Sequence, residues 1–283
     1  MRLFLMTALA VTLLAANSLL TRAGVLDGTD PVAFAAIRVG AGAIVLALLA
    51  AGRGIDLRGR RRWGAASALV IYLMGFSLAY RSLDAGLGAL ILFATVQLGL
   101  FAAGAARGER AGPVRLSGMA MALGGLVWLL APGGGPWAFG DAALMVAAGL
   151  AWAAYSVAGK FEPKPLAGTA GNFILAAGAV LLAAPLWWGA DVTLLGWITA
   201  AASGAIASGL GYALLFRVLP RMGLATAGVA QLSAPVIAMA GGALLLGEWP
   251  TGRALAAASL VLAGIALATI RPRRQPTIRS SGS

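Results

Sequence analysis

The order of apolar segments in the first half of this chain is repeated in its second half. When the chain is shifted by roughly half its length, the dipeptide Ala23-Gly24 falls on Ala158-Gly159. Near the end of each half, Gly108-Glu109 recurs as Gly247-Glu248. Each copy holds an odd number of apolar segments. The second copy must therefore enter a membrane in the opposite orientation to the first, as an inverted repeat.

The composition of the chain indicates an integral membrane protein. Of its 283 residues, 60% are hydrophobic and only 11% are charged, and its mean hydropathy is +0.91. So few charges cannot cover the surface of a soluble protein of this size. A helix needs roughly 20 apolar residues to cross a bilayer core. Ten segments meet this length: 3–21, 31–51, 64–82, 85–105, 114–131, 140–159, 166–187, 193–216, 223–246 and 253–270.

The predicted fold is all-α, with ten transmembrane helices in two five-helix repeats of inverted topology. The loops between the spans are short, so no soluble domain is expected. The first repeat is predicted at 1–132, the loop between the repeats at 133–139, the second repeat at 140–270, and a basic tail at 271–283.

The positive charges predict the orientation of the chain. The net charge is +12, with 21 Lys and Arg residues. If the N-terminus is cytoplasmic and ten spans follow, most of these cations fall on the cytoplasmic side. Only Arg22, Arg81 and Arg253 fall on the outer side, and Arg38 lies within a span. This is the positive-inside bias, and it places both termini in the cytoplasm. The basic excess therefore indicates topology and contact with the lipid bilayer, and no nucleic-acid partner is expected.

Missing residue types exclude several kinds of chemistry. The chain has no Cys and no His, so disulfides, thiol chemistry and Cys/His metal sites are excluded. None of the Asp or Glu residues falls in the middle of a predicted span, since Asp141 and Glu248 stand at helix ends. A carboxylate-based proton antiport and a membrane-embedded enzyme are both disfavoured, and no metal or cofactor is expected.

Arg38 is the one ionisable residue near the centre of a predicted span. An ionisable group inside a membrane is a candidate functional residue. It could serve as the counter-ion of a substrate carboxylate, or as a charged element of a gate. The alternative favoured for it is an arginine that reaches outward to loop carbonyls, Asp27 or Asp30.

Aromatic and amide side chains inside the predicted spans form the candidate substrate site. Tyr72, Phe76 and Tyr80 are four residues apart and share one helix face. The candidates for substrate binding are Asn17, Tyr72, Tyr80, Gln97, Trp152, Tyr155, Tyr212, Gln231 and Ser233. Ring faces and amides suit a cavity for an amphipathic small molecule. The alternative is structural, because Tyr and Trp anchor helices at interfaces and amides join helices by hydrogen bonds.

Pro235 and several small residues predict how the helices pack and bend. Pro235 is expected in the middle of the ninth span, where it would interrupt the backbone hydrogen bonds and allow gating, or form a static kink. Gly204 and Ser208 are four residues apart, as in faces that bring two helices close together.

The chain resembles the EamA-type branch of the drug/metabolite transporter superfamily. The resemblance rests on the ten spans in two halves and on the residues at the end of the second half, where the run Leu244 to Glu248 precedes Pro250, Thr251 and Gly252. Further similarities are Arg38 in the second helix, Trp152 and Lys160 around the end of the sixth, and Pro235 in the ninth. Within this branch, the run 94–97 of the fourth helix is similar to that of the YddG-like amino-acid exporters.

The resemblance implies a carrier that exports amino acids or related metabolites across a bacterial inner membrane. It implies a central cavity between the two halves, lined by helices 1, 3, 4, 6, 8 and 9, and it assigns Asn172 in helix 7 to packing. Family members often carry a proline in the middle of the fourth helix, whereas this chain has Gln97-Leu98-Gly99.

Four functions stay open for the chain. The first is a secondary carrier of neutral or aromatic amino acids, since a zwitterion needs no full counter-charge. The second is a multidrug or lipid-linked-metabolite carrier of the same superfamily. The third is a membrane-embedded enzyme, which the missing residue types disfavour, and the fourth is a scaffold without transport activity. The sequence holds no firm oligomeric signal, so a monomer is the simplest expectation.

Overall fold

The computed structural model describes residues 2–109, 111–131, 138–218 and 231–269, and this part of the chain is helical without strands. The helices are α1 (Arg2–Leu26), α2 (Pro31–Leu49), α3 (Arg60–Ala79), α4 (Ala85–Ala106), α5 (Pro113–Leu130), α6 (Phe139–Lys160), α7 (Pro165–Leu182), α8 (Leu194–Ala202, Ser203–Leu210 and Gly211–Val218), α9 (Ser233–Leu246) and α10 (Gly252–Thr269). A single 3₁₀ turn, Ala184–Leu186, follows α7.

Nine of these helices are long and apolar enough to cross a membrane, within the ranges that the structure describes. The helix α9 is apolar but shorter, and the beginning of its predicted span, 223–246, lies outside the described residues. Most of the predicted loop 133–139 and the predicted tail 271–283 also lie outside them. Large apolar side chains stand exposed on the helix surfaces, as in Leu182 and Leu244, where lipid would cover them.

Several helix boundaries differ from the predicted ones. The helix α7 ends at Leu182, before the predicted end at 187, and a 3₁₀ turn with Pro185 follows it. Two other helices extend beyond their predicted bounds because charged residues are neutralised locally. The helix α1 continues to Leu26, past the predicted end at 21. Arg22 in its last turns pairs with Glu248, so its charge does not end the helix. The helix α3 begins at Arg60, before the predicted start at 64, because its first-turn arginines bond to groups on neighbouring helices.

A capping residue fixes the start of α2 and thereby the depth of Arg38. The carboxylate of Asp30 accepts hydrogen bonds from the backbone amides of Val32 and Ala33, at 2.8 and 2.9 Å. Pro31 occupies the first helical position, where its missing N–H costs nothing. This N-cap uses the Asp30 carboxylate locally, two turns of helix away from Arg38.

Three of the five helix pairs that lie five apart in chain order pack against each other. The pairs α2 with α7, α4 with α9 and α5 with α10 are all in contact. The extensive packing of α3 on α6 has a counterpart in the packing of α8 on α1. In the same way, the packing of α2 on α8 has a counterpart in the packing of α7 on α3. Each of these contacts therefore has a counterpart between the helices five places along the chain.

Glycines allow several of these helix pairs to approach closely. A Cβ on Gly118 of α5 would lie 2.5 Å from the backbone nitrogen of Ala268 on α10. A Cβ on Gly264 of α10 would lie 2.6 Å from the backbone nitrogen of Ala122 on α5. At the interface of α8 and α2, a Cβ on Gly204 would overlap the carbonyl oxygen of Arg38. Small residues thus set the helix spacing, as is usual in membranes.

Candidate functional site

Five of the residues predicted from the sequence meet in the interior of the bundle. They are Asn17 on α1, Arg38 on α2, Tyr72 on α3, Trp152 on α6 and Tyr212 on α8. Arg38 and Tyr212 are 0% exposed, Asn17 2%, Tyr72 3% and Trp152 5%. We call these five residues the central cluster. Its members come from both halves of the chain, so an intact fold is needed to assemble it.

Arg38 points into the central cluster and not toward the loops. Its Nη2 donates to the hydroxyl of Tyr72 at 3.1 Å, and its Nε and Nη2 donate to the hydroxyl of Ser208 at 3.3 Å. The ring centroid of Phe76 lies 4.8 Å from its guanidinium carbon. The favoured expectation of an arginine bonded to loop carbonyls, Asp27 or Asp30 is therefore wrong. The hydroxyls and the ring face already hold the guanidinium inside the bundle.

Ser208 connects Arg38 to Asn17 and was not predicted as a site residue. Its hydroxyl accepts from Arg38 and donates to Oδ1 of Asn17 at 3.2 Å, and Ser203 donates to the same oxygen at 2.8 Å. Both serines lie in the stretch Ser203–Leu210, where α8 is wound as a π-helix. Such π segments are frequent at functional sites. The spacing of Gly204 and Ser208 predicted close packing here but gave no sign of the π winding.

Aromatic rings in contact, with their planes tilted to each other, continue from the polar part of the central cluster. Trp152 lies between Tyr72 and Tyr212, with ring centroids 4.8 Å apart in each pair. The two tyrosine hydroxyls also share a hydrogen bond of 3.4 Å. Tyr72, Trp152 and Tyr212 come from α3, α6 and α8, so these contacts bridge the two halves. The rings fill the centre of the bundle, and a ligand must part them to enter.

One end of the bundle is closed by an ion pair, which we call the Arg22–Glu248 latch. Nε of Arg22 lies 2.6 Å from a carboxylate oxygen of Glu248, and the other oxygen accepts from the backbone amide of Ala85 at 2.8 Å. Arg22 also donates to the carbonyl of Tyr80 at 2.8 Å. Nearby, burial and the charge of Glu248 raise the pKa of the Asp84 carboxyl, while Arg22 acts to lower it. The latch ties α1, α3, α4 and α9 together.

Tyr80 belongs to this closed end of the bundle and not to the central cluster. It is fully buried, its ring packs edge-on against Phe76 at 4.9 Å, and its hydroxyl donates to the carbonyl of Ala85 at 3.4 Å. Tyr72, Phe76 and Tyr80 therefore do share one face of α3, as their spacing predicts. That face runs from the central cluster to the latch.

The opposite end of the bundle holds a cavity of about 380 Å³ that reaches Tyr155. We call it the basic cavity, because Arg58, Arg61, Arg62 and Lys164 are among its lining residues. The ring of Tyr155 lies 5.4 Å from that of Trp152. Tyr155 therefore separates the basic cavity from the central cluster, and a single aromatic side chain lies between the two.

An ion pair and an amide stand at the mouth of the basic cavity. Nη2 of Arg62 lies 3.0 Å from a carboxylate oxygen of Glu162, and its Nη1 donates to Oδ1 of Asn172 at 3.2 Å. Both ionic side chains are mostly buried. Asn172, which the family resemblance assigns to packing, thus lines this cavity and holds an arginine there.

The remaining predicted residues lie on α4 and α9. Gln97 and Gln231 are half-buried, Ser233 is exposed, and Pro235 is buried. Pro235 is the third residue of α9, and a turn at Leu232 precedes this helix. Its missing N–H falls in a first turn, where backbone amides have no partner within the helix. Gln231 is helical, so the described part of the predicted ninth span is interrupted at Leu232, three residues before Pro235.

The central cluster offers the chemical groups of a binding site, with a cation, amide and hydroxyl groups and ring faces. Among the described residues, no group of three or more Asp, Glu, His or Cys side chains lies close enough together to hold a metal ion.

Comparisons with known proteins agree with this architecture. Residues 140–270 match the model of the EamA-like transporter family. An uncharacterized protein of Pseudomonas aeruginosa is 45% identical over 269 residues, which cover 94% of each chain. A crystal structure shares the fold with a TM-score of 0.68 at 21% identity, covering 97% of this chain and 99% of that one.

The fold and the matches define the class of this protein as a multi-pass helical membrane protein, of the kind that serves as a non-enzymatic transporter. The chain carries an EamA-like transporter family domain in its second half and belongs to one family with the Pseudomonas protein. It is thus similar to membrane transporters of the drug/metabolite transporter superfamily.

Proposed function

We propose that this protein is a secondary carrier that exports neutral or aromatic amino acids across a bacterial inner membrane by alternating access. Its ten spans form two inverted five-helix repeats, 1–132 and 140–270, with both termini in the cytoplasm. Substrate binds at the central cluster between the repeats. The packing of helices five apart in chain order and the placement of the positive charges support this architecture.

The observation that carries the proposal is the continuous route from the basic cavity to Arg38. Tyr155 lines the cavity and its ring contacts that of Trp152. Trp152 in turn contacts Tyr72, whose hydroxyl accepts a hydrogen bond from Arg38. At the other end, the Arg22–Glu248 latch closes the bundle. A binding site that is close to one side and sealed from the other is what alternating access requires of one of its two states.

The charges of the site favour zwitterions over lipophilic cations, the alternative cargo. None of the five ion pairs described places a carboxylate beside Arg38, so a cationic drug would meet a buried positive charge without compensation. An amino acid brings its own carboxylate and can place an apolar side chain against the rings of Trp152 and Tyr212.

The test is exchange of labelled amino acids in liposomes that contain the purified protein. We expect unlabelled internal amino acids to accelerate uptake of the labelled ones. Trp152→Ala should weaken exchange about tenfold or more, equal to ~1.4 kcal/mol per tenfold, because the ring joins Tyr72 to Tyr212. Trp197→Ala is the matched control, since Trp197 is 54% exposed on the outer surface of α8.

The outcomes of this experiment separate a carrier from a scaffold. Liposomes with wild-type protein that exchange no member of a broad amino-acid panel faster than empty liposomes would overturn the proposal. Equal losses in Trp152→Ala and Trp197→Ala would remove the central cluster as the binding site. Stabilisation by lipophilic cations alone would favour the multidrug alternative.

A further inference from the structure

Arg38 is a buried cation that has no anionic partner among the described residues. The chain has nine Asp and Glu residues, and all of them lie within the described ranges. The ion pairs that these carboxylates form go to Arg22, Arg62, Arg81 and Arg115. Neutral hydroxyls return only part of the hydration that a guanidinium loses on burial, so this arrangement is costly without an anion.

One edge of the Arg38 guanidinium is also left without a hydrogen bond. Its Nε and Nη2 donate to Ser208 and Tyr72, but the buried Nη1 meets no acceptor among the described residues. Arginine binds a carboxylate through two parallel N–H donors, which fixes both position and orientation. The free Nη1 beside Nη2 is therefore the edge at which a carboxylate would bind.

The side-chain amide of Asn17 supplies a second free donor to the same network. Ser208 has one hydroxyl proton, which goes to Oδ1 of Asn17, and its lone pairs accept from Arg38. The amide oxygen is therefore occupied, and Nδ2 of Asn17 is left buried without an acceptor among the described residues. Both Asn17 and Arg38 bond to the Ser208 hydroxyl, so their two free donors belong to one site.

The surroundings of these donors select a small organic acid. The ring centroids of Phe76 and Tyr72 lie 4.8 and 5.4 Å from the guanidinium carbon, and the ring of Trp152 contacts that of Tyr72. A ligand whose carboxylate meets Arg38 would place its organic part against these rings. Two free donors and a ring-lined surround therefore match a carboxylate that carries an apolar or aromatic group.

We propose that Arg38, held by Ser208 and Tyr72 and assisted by the Asn17 amide, binds the carboxylate of the transported molecule. This inference rests on the proposed function, because it uses the same binding site, and it names the chemical group that this site recognises. It makes the carboxylate obligatory, whereas the amino group of a substrate would be optional.

The test measures binding of matched acids and amides to the purified protein. The ligands are L-phenylalanine, 3-phenylpropanoate and the primary amide of each, and binding is read from titration calorimetry and thermal stabilisation. We expect the acids to bind about tenfold to a hundredfold more tightly than their amides, as charge-assisted hydrogen bonds do. Arg38→Gln should abolish this preference, and Arg38→Lys should restore part of it.

Asn17→Asp provides a test in which stability and binding move in opposite directions. The carboxylate of the variant can still accept from Ser203 and Ser208, and it places an anion in the network of Arg38. The variant should therefore unfold at a higher temperature than wild type but lose the preference for acids. This variant keeps the proposal falsifiable if Arg38→Gln fails to fold.

Each outcome bears on the inference in one direction. Equal affinities for acids and amides in wild type would overturn it, as would a preserved preference in Arg38→Gln or in Asn17→Asp. Binding of 3-phenylpropanoate without exchange of any amino acid would overturn the proposed amino-acid export but support carboxylate binding at Arg38. Exchange of amino acids together with equal binding of acids and amides would support amino-acid export but overturn carboxylate binding at Arg38.

Discussion

Three arginines of this protein lie in or at the ends of the bundle and differ in their partners. Arg22 pairs with Glu248 at 2.6 Å, and Arg62 pairs with Glu162 at 3.0 Å. Within the described ranges, the partners of Arg38 are hydroxyl groups and aromatic rings. At the residue scale, the two end arginines are thus neutralised within the chain, and the central one retains its charge for a ligand.

The latch at the closed end should contribute strongly to stability. Glu248→Gln would remove the carboxylate that pairs with the 11% exposed side chain of Arg22 at 2.6 Å, and would leave only the half-exposed Asp84, at 3.8 Å. Breaking a buried ion pair in this way costs about 3–5 kcal/mol. We expect a clearly lower midpoint of thermal unfolding in detergent.

Glu109 is the matched control for Glu248, since it holds the equivalent place in the first half of the chain. Glu109 pairs with Arg115 at 3.7 Å, and the two side chains are 53% and 37% exposed. Glu109→Gln should therefore change stability by only about 0–1 kcal/mol. Equal destabilisation by the two substitutions would show that the latch is not a special contact.

The helices α5 and α10 show at the element scale how small residues decide packing. Gly118 faces α10 so closely that a Cβ would lie 2.6 Å from the carbonyl oxygen of Gly264. Gly124 stands two turns further along α5 and has open space where its Cβ would be. One helix therefore carries a glycine that packing requires and another that it does not.

We expect opposite effects when these two glycines become alanine. Gly118→Ala should destabilise the protein by about 1–3 kcal/mol, because two backbones must move apart. Gly124→Ala should be neutral or stabilise by up to about 1 kcal/mol, because alanine favours a helix more than glycine does. Thermal unfolding of both variants in the same detergent measures the difference. A stable Gly118→Ala protein would mean that α5 and α10 pack less closely than described.

The absence of cysteine from the whole chain makes its topology directly testable. In an inverted repeat, equivalent loops of the two halves face opposite sides of the membrane. Asp27 in the α1–α2 loop should thus be outside and Lys164 in the α6–α7 loop inside. For the next loop, Arg58 should be inside and Trp188 outside. All four residues are exposed.

Single cysteines at these four positions should label in two groups. A membrane-impermeant maleimide on intact cells should modify Asp27→Cys and Trp188→Cys, and should modify Arg58→Cys and Lys164→Cys only after the cells are opened. Cysteine-free wild type reports the background. Labelling of Arg58→Cys and Trp188→Cys from the same side would contradict the inverted arrangement of the halves.

Helix positions were largely predictable from the sequence because crossing a membrane requires long apolar runs. Some predicted helix boundaries were wrong. The helix α1 continues past Arg22, because this charge is neutralised by Glu248, which lies more than two hundred residues away in the chain. Among the site residues, Tyr72, Trp152 and Tyr212 were found because aromatic residues inside a span stand out. Ser208 was missed because a serine beside glycines is typical of closely packed helices, and because the pattern of apolar residues does not indicate a π-helix.

The sequence by itself determined that this is a membrane protein, that it is helical, and that the order of apolar segments in its first half is repeated in its second half. These properties depend on many residues together, so a wrong assignment at a single position does not change them. Only the tertiary structure decided what Arg38 touches. Its partners Tyr72 and Ser208 come from helices far apart in the chain, and hydrogen bonds depend on distances of a few tenths of an ångström. Composition placed a charge in the membrane, and packing decided that no Asp or Glu side chain of the described residues pairs with it.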